Sequence, residues 1–372
     1  MGLGLLAMVG CAGTGSSPTQ FDKATQAQLL AAVDNIFAAN NLPGVIVGVF
    51  APGQGEMYWT KGVNDKVSMA PIPYNSHFRV GSNTKSFIGT VVLQLVDESK
   101  CKLDDKISKF LTGVPSGDLI TIRMLLNMTS GLPNYSAQPE FDDMLHADPH
   151  RQYSRQELLD IAYAHDMDFD PGTAYRYSNT NTVLLGMLIE KLTGTTVATN
   201  LRTRIFDRLG MNDTSWPATP ELPSPFVHGY TKDTADSSEA DSSNWNVSWA
   251  DAAGILVSTP EDMRKWSKAL ATGVLVSSAM QIERFKFVDL PGSSKIARYG
   301  LAVSQLGGWI GHEGEMPGYN STAVYLPSKD ITLVIFVSTD THTGPLTNVD
   351  KIHIALGKIL APDETPDGPP GG

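Results

Sequence analysis

Apolar residues recur at helical spacing from Phe21 to Asn41. Leu29, Val33 and Phe37 share one face, and Asn41 with Pro43 makes a stop. The next stretch, "GVIVGVFAPGQGEMYWTKGV", reads as two strands around a Pro-Gly turn, a hairpin. After "FRVGSNTKSF" the chain is apolar and helix-compatible up to Val96. From Leu103 to about Arg208 the pattern is mostly helical. "ITIRMLLNMTSGLPNY" is a short helix stopped by Gly131 and Pro133. Ser154 and Glu157 form a capping box, and Gly194 closes "NTVLLGMLIEKLTG" as a C-cap. The polar run "TKDTADSSEADSSNWN" reads as a surface excursion. Strand periodicity then returns in "YGLAVSQ", "GWIGHEG", "STAVYLP" and "ITLVIFVST", before a terminal helix in "NVDKIHIALGKILA".

The order strand, helices, strand predicts an α/β (α+β) fold. Its antiparallel sheet is built from N- and C-terminal segments and flanked by helices, with an inserted, mostly helical lobe. The expected boundaries are an α/β lobe at about 21–85 and 255–361 and a helical lobe at about 86–254. Residues 1–20 are a leader and linker, and the Pro/Gly-rich tail 362–372 is expected to be disordered. A cleft between the lobes is a natural place for a site.

The chain has 372 residues, 41% of them hydrophobic and 18% charged, enough for a sizeable core. The formal net charge of -11 and the lack of a basic run argue against nucleic acid as a partner. Two cysteines cannot staple a small scaffold. Cys11 ends a short apolar run and precedes a Gly/Ser/Pro/Thr linker, which looks like the end of a bacterial lipoprotein signal, although no basic region precedes it. The expectation is an exported protein of the cell envelope, secreted or tethered to the membrane by lipid on Cys11. No other apolar run is long enough to span a bilayer.

Three short motifs could carry chemistry, and each also has an ordinary structural reading. Ser82 and Lys85 stand three residues apart at a helix start. Roughly one or two such pairs arise by chance in a chain this long. Ser82 could be a cap and Lys85 a solvated lysine, yet i and i+3 share a face, so the amine can reach the hydroxyl. A helix N-terminus also favours negative charge, which suits an oxyanion. A lysine serves as a base only where burial or cationic neighbours lower its pKa. Tyr177-Ser178-Asn179 offers a phenol and an amide just before a helix, or a cap and a packed ring. His312-Glu313-Gly314 ends a strand, and Gly314 lets another backbone lie against it. This motif holds one His with no partner at metal-ligand spacing, and nothing resembles His-Glu-x-x-His, so neither a metal nor a cofactor is expected.

In this order the motifs resemble those of the serine β-lactamase and penicillin-recognising DD-peptidase superfamily. "FRVGSNTKSFIGTVVLQLVDE", "YRYSNTNTVLLGMLIEKLTG" and "VSWADAAGILVSTPEDM" are similar to the secreted actinobacterial serine D-alanyl-D-alanine carboxypeptidases and related esterases. The resemblance runs from about Phe21 to Ile359. It implies a β-lactamase/transpeptidase-like fold and a serine hydrolase that forms an acyl-enzyme on Ser82, with a small peptide, ester or β-lactam as substrate. It also implies proton transfer shared by Lys85 and Tyr177, with the choice of base left open, and an oxyanion site at the backbone N–H groups of Ser82 and Glu315. Asn179 would hold the acyl amide, and His312 would support Tyr177. Trp249 either lines the cleft or packs structurally.

The chain departs from these relatives where they bind a terminal carboxylate. Their arginine position falls on or near Ser304, Arg298 lies several residues early, and Glu315 replaces a threonine. Like charges about 4 Å apart repel by about 4 kcal/mol at an effective dielectric near 20. A carboxylate-ended substrate could therefore lose a factor on the order of a thousand. The expectation is acyl-serine chemistry without preference for a free C-terminal carboxylate. Alternatives are an esterase or D-aminopeptidase-like hydrolase, a β-lactam-binding or weakly β-lactamase-like protein, and a non-catalytic binding protein of this fold.

Overall fold

The computed structural model describes residues 20–292 and 296–368. The proposed lipid site Cys11 lies outside them. Among the described residues no helix is long and apolar enough to cross a membrane.

The framework is one eight-stranded antiparallel sheet. Its strands are β1 (Gly44–Ala51), β2 (Gly55–Gly62), β3 (Val288–Asp289), β4 (Ala297–Tyr299), β5 (Ser304–Leu306), β6 (Trp309–Met316), β7 (Tyr319–Leu326) and β8 (Ile331–Val337). Their order is β2-β1-β8-β7-β6-β5-β4-β3. The N-terminal hairpin completes the C-terminal strands because β1 pairs with β8, with Val45 opposite Val337 and Phe50 opposite Thr332. Both faces of β1 are buried, and its alternation divides the core. Val45, Val47 and Val49 meet Leu29 and Val33 of α1 (Lys23–Ala39) in one apolar cluster. Ile46 belongs to the cluster on the other face, which extends into the helical lobe.

Four further helices matter for the site: α2 (Asn83–Asp97), α3 (Asn179–Thr193), α4 (Pro260–Thr272) and α5 (Asn348–Leu360). The expected cap at Gly194 and the capping box of Ser154 and Glu157 are both present. The chain enters and leaves the helical region through a short ladder, Phe78 opposite Ser258 and Arg79 opposite Val257. This ladder holds the start of α2 beside the segment leading into α4. Thirteen of the fifteen α2 residues are buried, with the polar Asn83, Thr84, Lys85, Ser86, Thr90 and Gln94 among them. Phe87 of α2 stacks on Trp266 of α4, with centroids 3.7 Å apart at 12°, and Trp266 Nε1 donates to Ser86 Oγ at 2.9 Å. The expected boundary at 85/86 falls inside α2.

Two expectations need correction. "YGLAVSQ" is not one strand, because β4 and β5 are separated by a tight turn. Leu301 N–H donates to the Arg284 carbonyl and Ala302 N–H to the Leu126 carbonyl, so this backbone docks on helices instead of continuing the ladder. The tail is not disordered over residues 362–368. The buried Trp309 donates its indole N–H to Thr365 Oγ1 at 2.9 Å, and Gly308 N–H donates to the Glu364 carbonyl. A buried indole donor needs an acceptor, which composition alone does not reveal.

Trp266→Ala removes the floor beneath α2. It is expected to destabilise the protein by about 3–5 kcal/mol, measured by denaturant unfolding.

Candidate active site

The nucleophile candidate sits where three backbones converge. Gly81 has φ +51°, and a β-carbon there would lie 2.8 Å from the Glu315 nitrogen. A β-carbon on Gly314 would lie 2.0 Å from the Val80 carbonyl oxygen and 2.8 Å from the Ser82 nitrogen. The two glycines thus let β6 run against the loop before α2, and the Ser82 and Glu315 amides become neighbours. Asn83 Nδ2 donates to Ser321 Oγ at 3.0 Å, and Ser321 Oγ donates to the Val80 carbonyl at 2.9 Å, tying this loop to β7.

Ser82 flanks α2 but makes no side-chain cap. Its Oγ lies 2.8 Å from Lys85 Nζ, which also donates to the Ala253 carbonyl at 2.7 Å. Lys85 is fully buried, and burial holds its amine well below the ordinary lysine value. The amine lies 4.8 Å from the centroid of the Tyr177 ring. Burial pushes the Tyr177 phenol well up, opposed by its hydrogen bond with Ser82. The serine is only partly covered, so the hydroxyl opens outward while its amine partner is sealed.

Asn179 begins α3. Its N–H donates to Asn134 Oδ1 at 2.9 Å and its Nδ2 to Ser136 Oγ at 2.7 Å, leaving Oδ1 without a protein partner. His312 is buried, and burial followed by the nearby Lys85 lowers it to about 3. The neutral ring has Nδ1 2.6 Å from the Glu313 carbonyl and Nε2 2.9 Å from Tyr299 Oη. Nδ1 therefore carries the proton, and Tyr299 donates to Nε2. His312 meets Tyr177 only by ring proximity, at 6.3 Å, whereas Tyr177 packs edge-on against Tyr299 at 6.0 Å. Tyr299 is thus a neighbour shared by His312 and Tyr177.

Trp249, for which a cleft wall and a structural role were both open, is a core residue. It is buried, packs at 5.4 Å against Phe141, and its carbonyl accepts from Tyr135 Oη. Strand alternation also separates two functions of β6. His312, Gly314 and Met316 are buried, while Glu313 and Glu315 are exposed. Asp350 is the largest influence raising the Glu313 carboxyl, and Glu315 adds to it. Glu315 is pushed up to about 7 by burial and by Asp340, Asp350 and Asp233. Its half-exposed side chain lies 4.0 Å from His342. Among the described residues no cluster of three or more His, Cys, Asp or Glu could hold a metal ion.

Sequence reasoning missed Tyr299, Asn134, Ser136 and the Ala253 carbonyl. The polar residues in "LPNYS" hinted at the Asn134–Ser136 support, but nothing in the sequence pointed to a particular backbone carbonyl.

An acyl-transfer site of this kind on a half-antiparallel, half-helical scaffold defines a serine hydrolase class. Residues 29–357 match the Beta-lactamase family model, and the chain belongs to that family. It is 28% identical over 295 residues to penicillin-binding protein 4* of Bacillus subtilis, covering 72% of this chain and 64% of that protein. It thus spans less than two thirds of that relative's length. Among solved structures, a D-stereospecific amidohydrolase from a Streptomyces species matches with TM-score 0.80 and 29% identity, over 91% of this chain and 98% of that one. The D-amino acid amidase of Ochrobactrum anthropi, solved with L-phenylalanine amide, matches with TM-score 0.81 and 26% identity, over 90% and 98%. The chain is therefore a member of the serine β-lactamase and DD-peptidase superfamily, with a D-stereospecific amidohydrolase and a D-amino acid amidase among its structural neighbours.

Gly314→Ala forces β6 away from the loop before Ser82. It is expected to cost about 1–3 kcal/mol as overpacking, read by thermal unfolding, with the Glu315 amide visibly displaced in a crystal structure of the variant.

Proposed function

We propose that the protein is a serine amidohydrolase that cleaves amides of D-amino acids or D-peptides through an acyl-enzyme on Ser82. We further propose that it does so without requiring a free C-terminal carboxylate. The observation that carries this reading is the buried Lys85 amine, 2.8 Å from Ser82 Oγ and held below its ordinary pKa. A neutral amine has a lone pair for the serine proton, whereas a phenol pushed upward stays protonated and cannot accept one. This favours Lys85 as the base, and the pair titrates jointly.

In the proposed cycle the Ser82 proton moves to Lys85 Nζ as Oγ bonds to the substrate carbonyl carbon. The carbonyl π pair moves onto oxygen, which lies between the Ser82 and Glu315 amides. Such donors are worth about 2.7–4 kcal/mol each. Collapse breaks the C–N bond, and the departing nitrogen takes the Tyr177 proton, which Lys85 replaces. A water then repeats the sequence on the ester and returns the proton to Ser82 Oγ. Asn179 Nδ2 is engaged with Ser136, so its free Oδ1 is the atom available to an acyl amide N–H.

The specificity follows from what surrounds Ser304 and Glu315. Ser304 Oγ donates to the Gly311 carbonyl at 3.0 Å. Arg298 donates to Gln305 Oε1 at 2.5 Å and covers the Phe287 ring. Its guanidinium is thus already committed to Gln305 and Phe287. Neither residue supplies a cation for a carboxylate, and Glu315 favours a cationic group such as a free ammonium. The named amidase neighbours support the amide reading, and the penicillin-binding relative supports acylation of the same serine by β-lactams as a second activity. The arrangement of Ser82, Lys85 and Tyr177 argues against a non-catalytic binding protein.

Two outcomes test this. A fluorophosphonate label is expected to be lost in Ser82→Ala, with hydrolysis down about a thousandfold or more, and a D-amino-acid amide should outrun the matching peptide with a free C-terminal acid. Faster cleavage of the acid would overturn the specificity. As pH rises through about 7, Glu315 gains its negative charge. The KM of a cationic amide should then fall relative to that of a neutral ester, and Glu315→Gln should flatten that difference.

A further inference from the structure

The turn that supplies the Ala253 carbonyl is itself strained and clamped. Asp251, two residues earlier, has φ +38° and ψ -135°, a conformation that side chains other than glycine rarely adopt. Its carboxylate holds the bend from both sides. Oδ1 accepts from its neighbour, Ala252 N–H, at 2.6 Å, and Oδ2 accepts from Arg155 Nε at 2.9 Å. Arg155 Nη1 donates to Glu190 Oε2 at 2.5 Å, and Glu190 Oε1 accepts from Val197 N–H at 3.0 Å. The chain of contacts runs from the helix Arg155–Tyr163 through α3 to the turn. At Gly186 of α3 a β-carbon would lie 2.9 Å from the Ala252 β-carbon, so α3 closes directly on the bend.

The other side of the same turn faces the reacting groups. Ala253 O receives Lys85 Nζ, and Leu256 N–H donates to Thr84 Oγ1 at 3.2 Å. A β-carbon on Gly254 would lie 3.6 Å from the Gly81 carbonyl carbon. A lysine amine rotates freely about its last bond. The carbonyl it donates to fixes that rotation and so fixes where the remaining lone pair or proton points. Resting on the acyl-serine reading above, we propose that Asp251, clamped by Arg155 and Glu190, is a positioning residue that aims the Ala253 carbonyl at Lys85 and thereby orients the amine toward Ser82. It touches neither substrate nor nucleophile and acts through the turn.

Asp251→Gly separates this from simple structural support, because glycine accepts the backbone conformation while the carboxylate is lost. Asp251→Asn keeps the shape and removes the charge. The maximal rate of Ser82 inactivation by a fluorophosphonate and its half-saturating concentration are measured alongside thermal unfolding. Both variants are expected to stay folded and to lose about tenfold or more of the maximal rate, with half-saturation changed less than about twofold. Arg155→Lys should recover part of what Arg155→Ala loses. Wild-type maximal rates in folded Asp251→Gly and Asp251→Asn would overturn the proposal. Absence of Ser82-dependent labelling in the wild-type protein would instead overturn the acyl-serine reading on which it rests.

Discussion

A primary amine with no exposure to water is unstable as a free cation, and the fold is arranged around that constraint at Lys85. Burial lowers its pKa, and the Ser82 hydroxyl and the Ala253 carbonyl are its polar neighbours. To keep water away, α2 is buried along almost its whole length and enclosed by α3, by β6 and by the segment before α4. Phe87 on Trp266 forms the floor of that enclosure. Loss of any wall would admit water and return the amine toward its ordinary charge. The packing of the helix and the reactivity of its first turn are therefore one problem, solved by the same contacts.

The second organising feature is the alternation of β6. A strand offers two faces, and here one is occupied by His312 and Gly314 while the other carries Glu313 and Glu315. The first face supplies a neutral imidazole, linked to Tyr299, and a gap that admits the Ser82 loop. The second adds carboxylates to a neighbourhood that already holds Asp340, Asp350 and Asp233. One strand thus contributes both to the candidate reacting centre and to a cluster of carboxylates. The two can change independently, because neighbouring residues point in opposite directions. A shared acyl-transfer core can in this way serve different substrates.

Much of this was legible in the chain itself. The strand–helix–strand order, the hairpin that joins the late strands, the capping box at Ser154 and the helix stop at Gly194 are written in local periodicity and turn chemistry. Ser82 and Lys85 were legible as a pair because a single helical turn fixes their distance. Tyr299 was not, because its contact with His312 depends on how β4 and β5 fold back on β6. The tail was misread for a similar reason, since the indole of Trp309 finds its acceptor at Thr365 only in the folded chain.

The sequence by itself supplied the candidate nucleophile, amine and phenol, through motifs whose order resembles a known family, and a carboxylate at Glu315. Tertiary structure alone decided that Lys85 is sealed from water, that Trp249 belongs to the core, and that Asp251 is bent and clamped beside the Ala253 carbonyl. Burial and backbone aim are properties of many distant segments meeting at one point. No local pattern encodes them, because the energy that holds them is spread over contacts far apart in the chain.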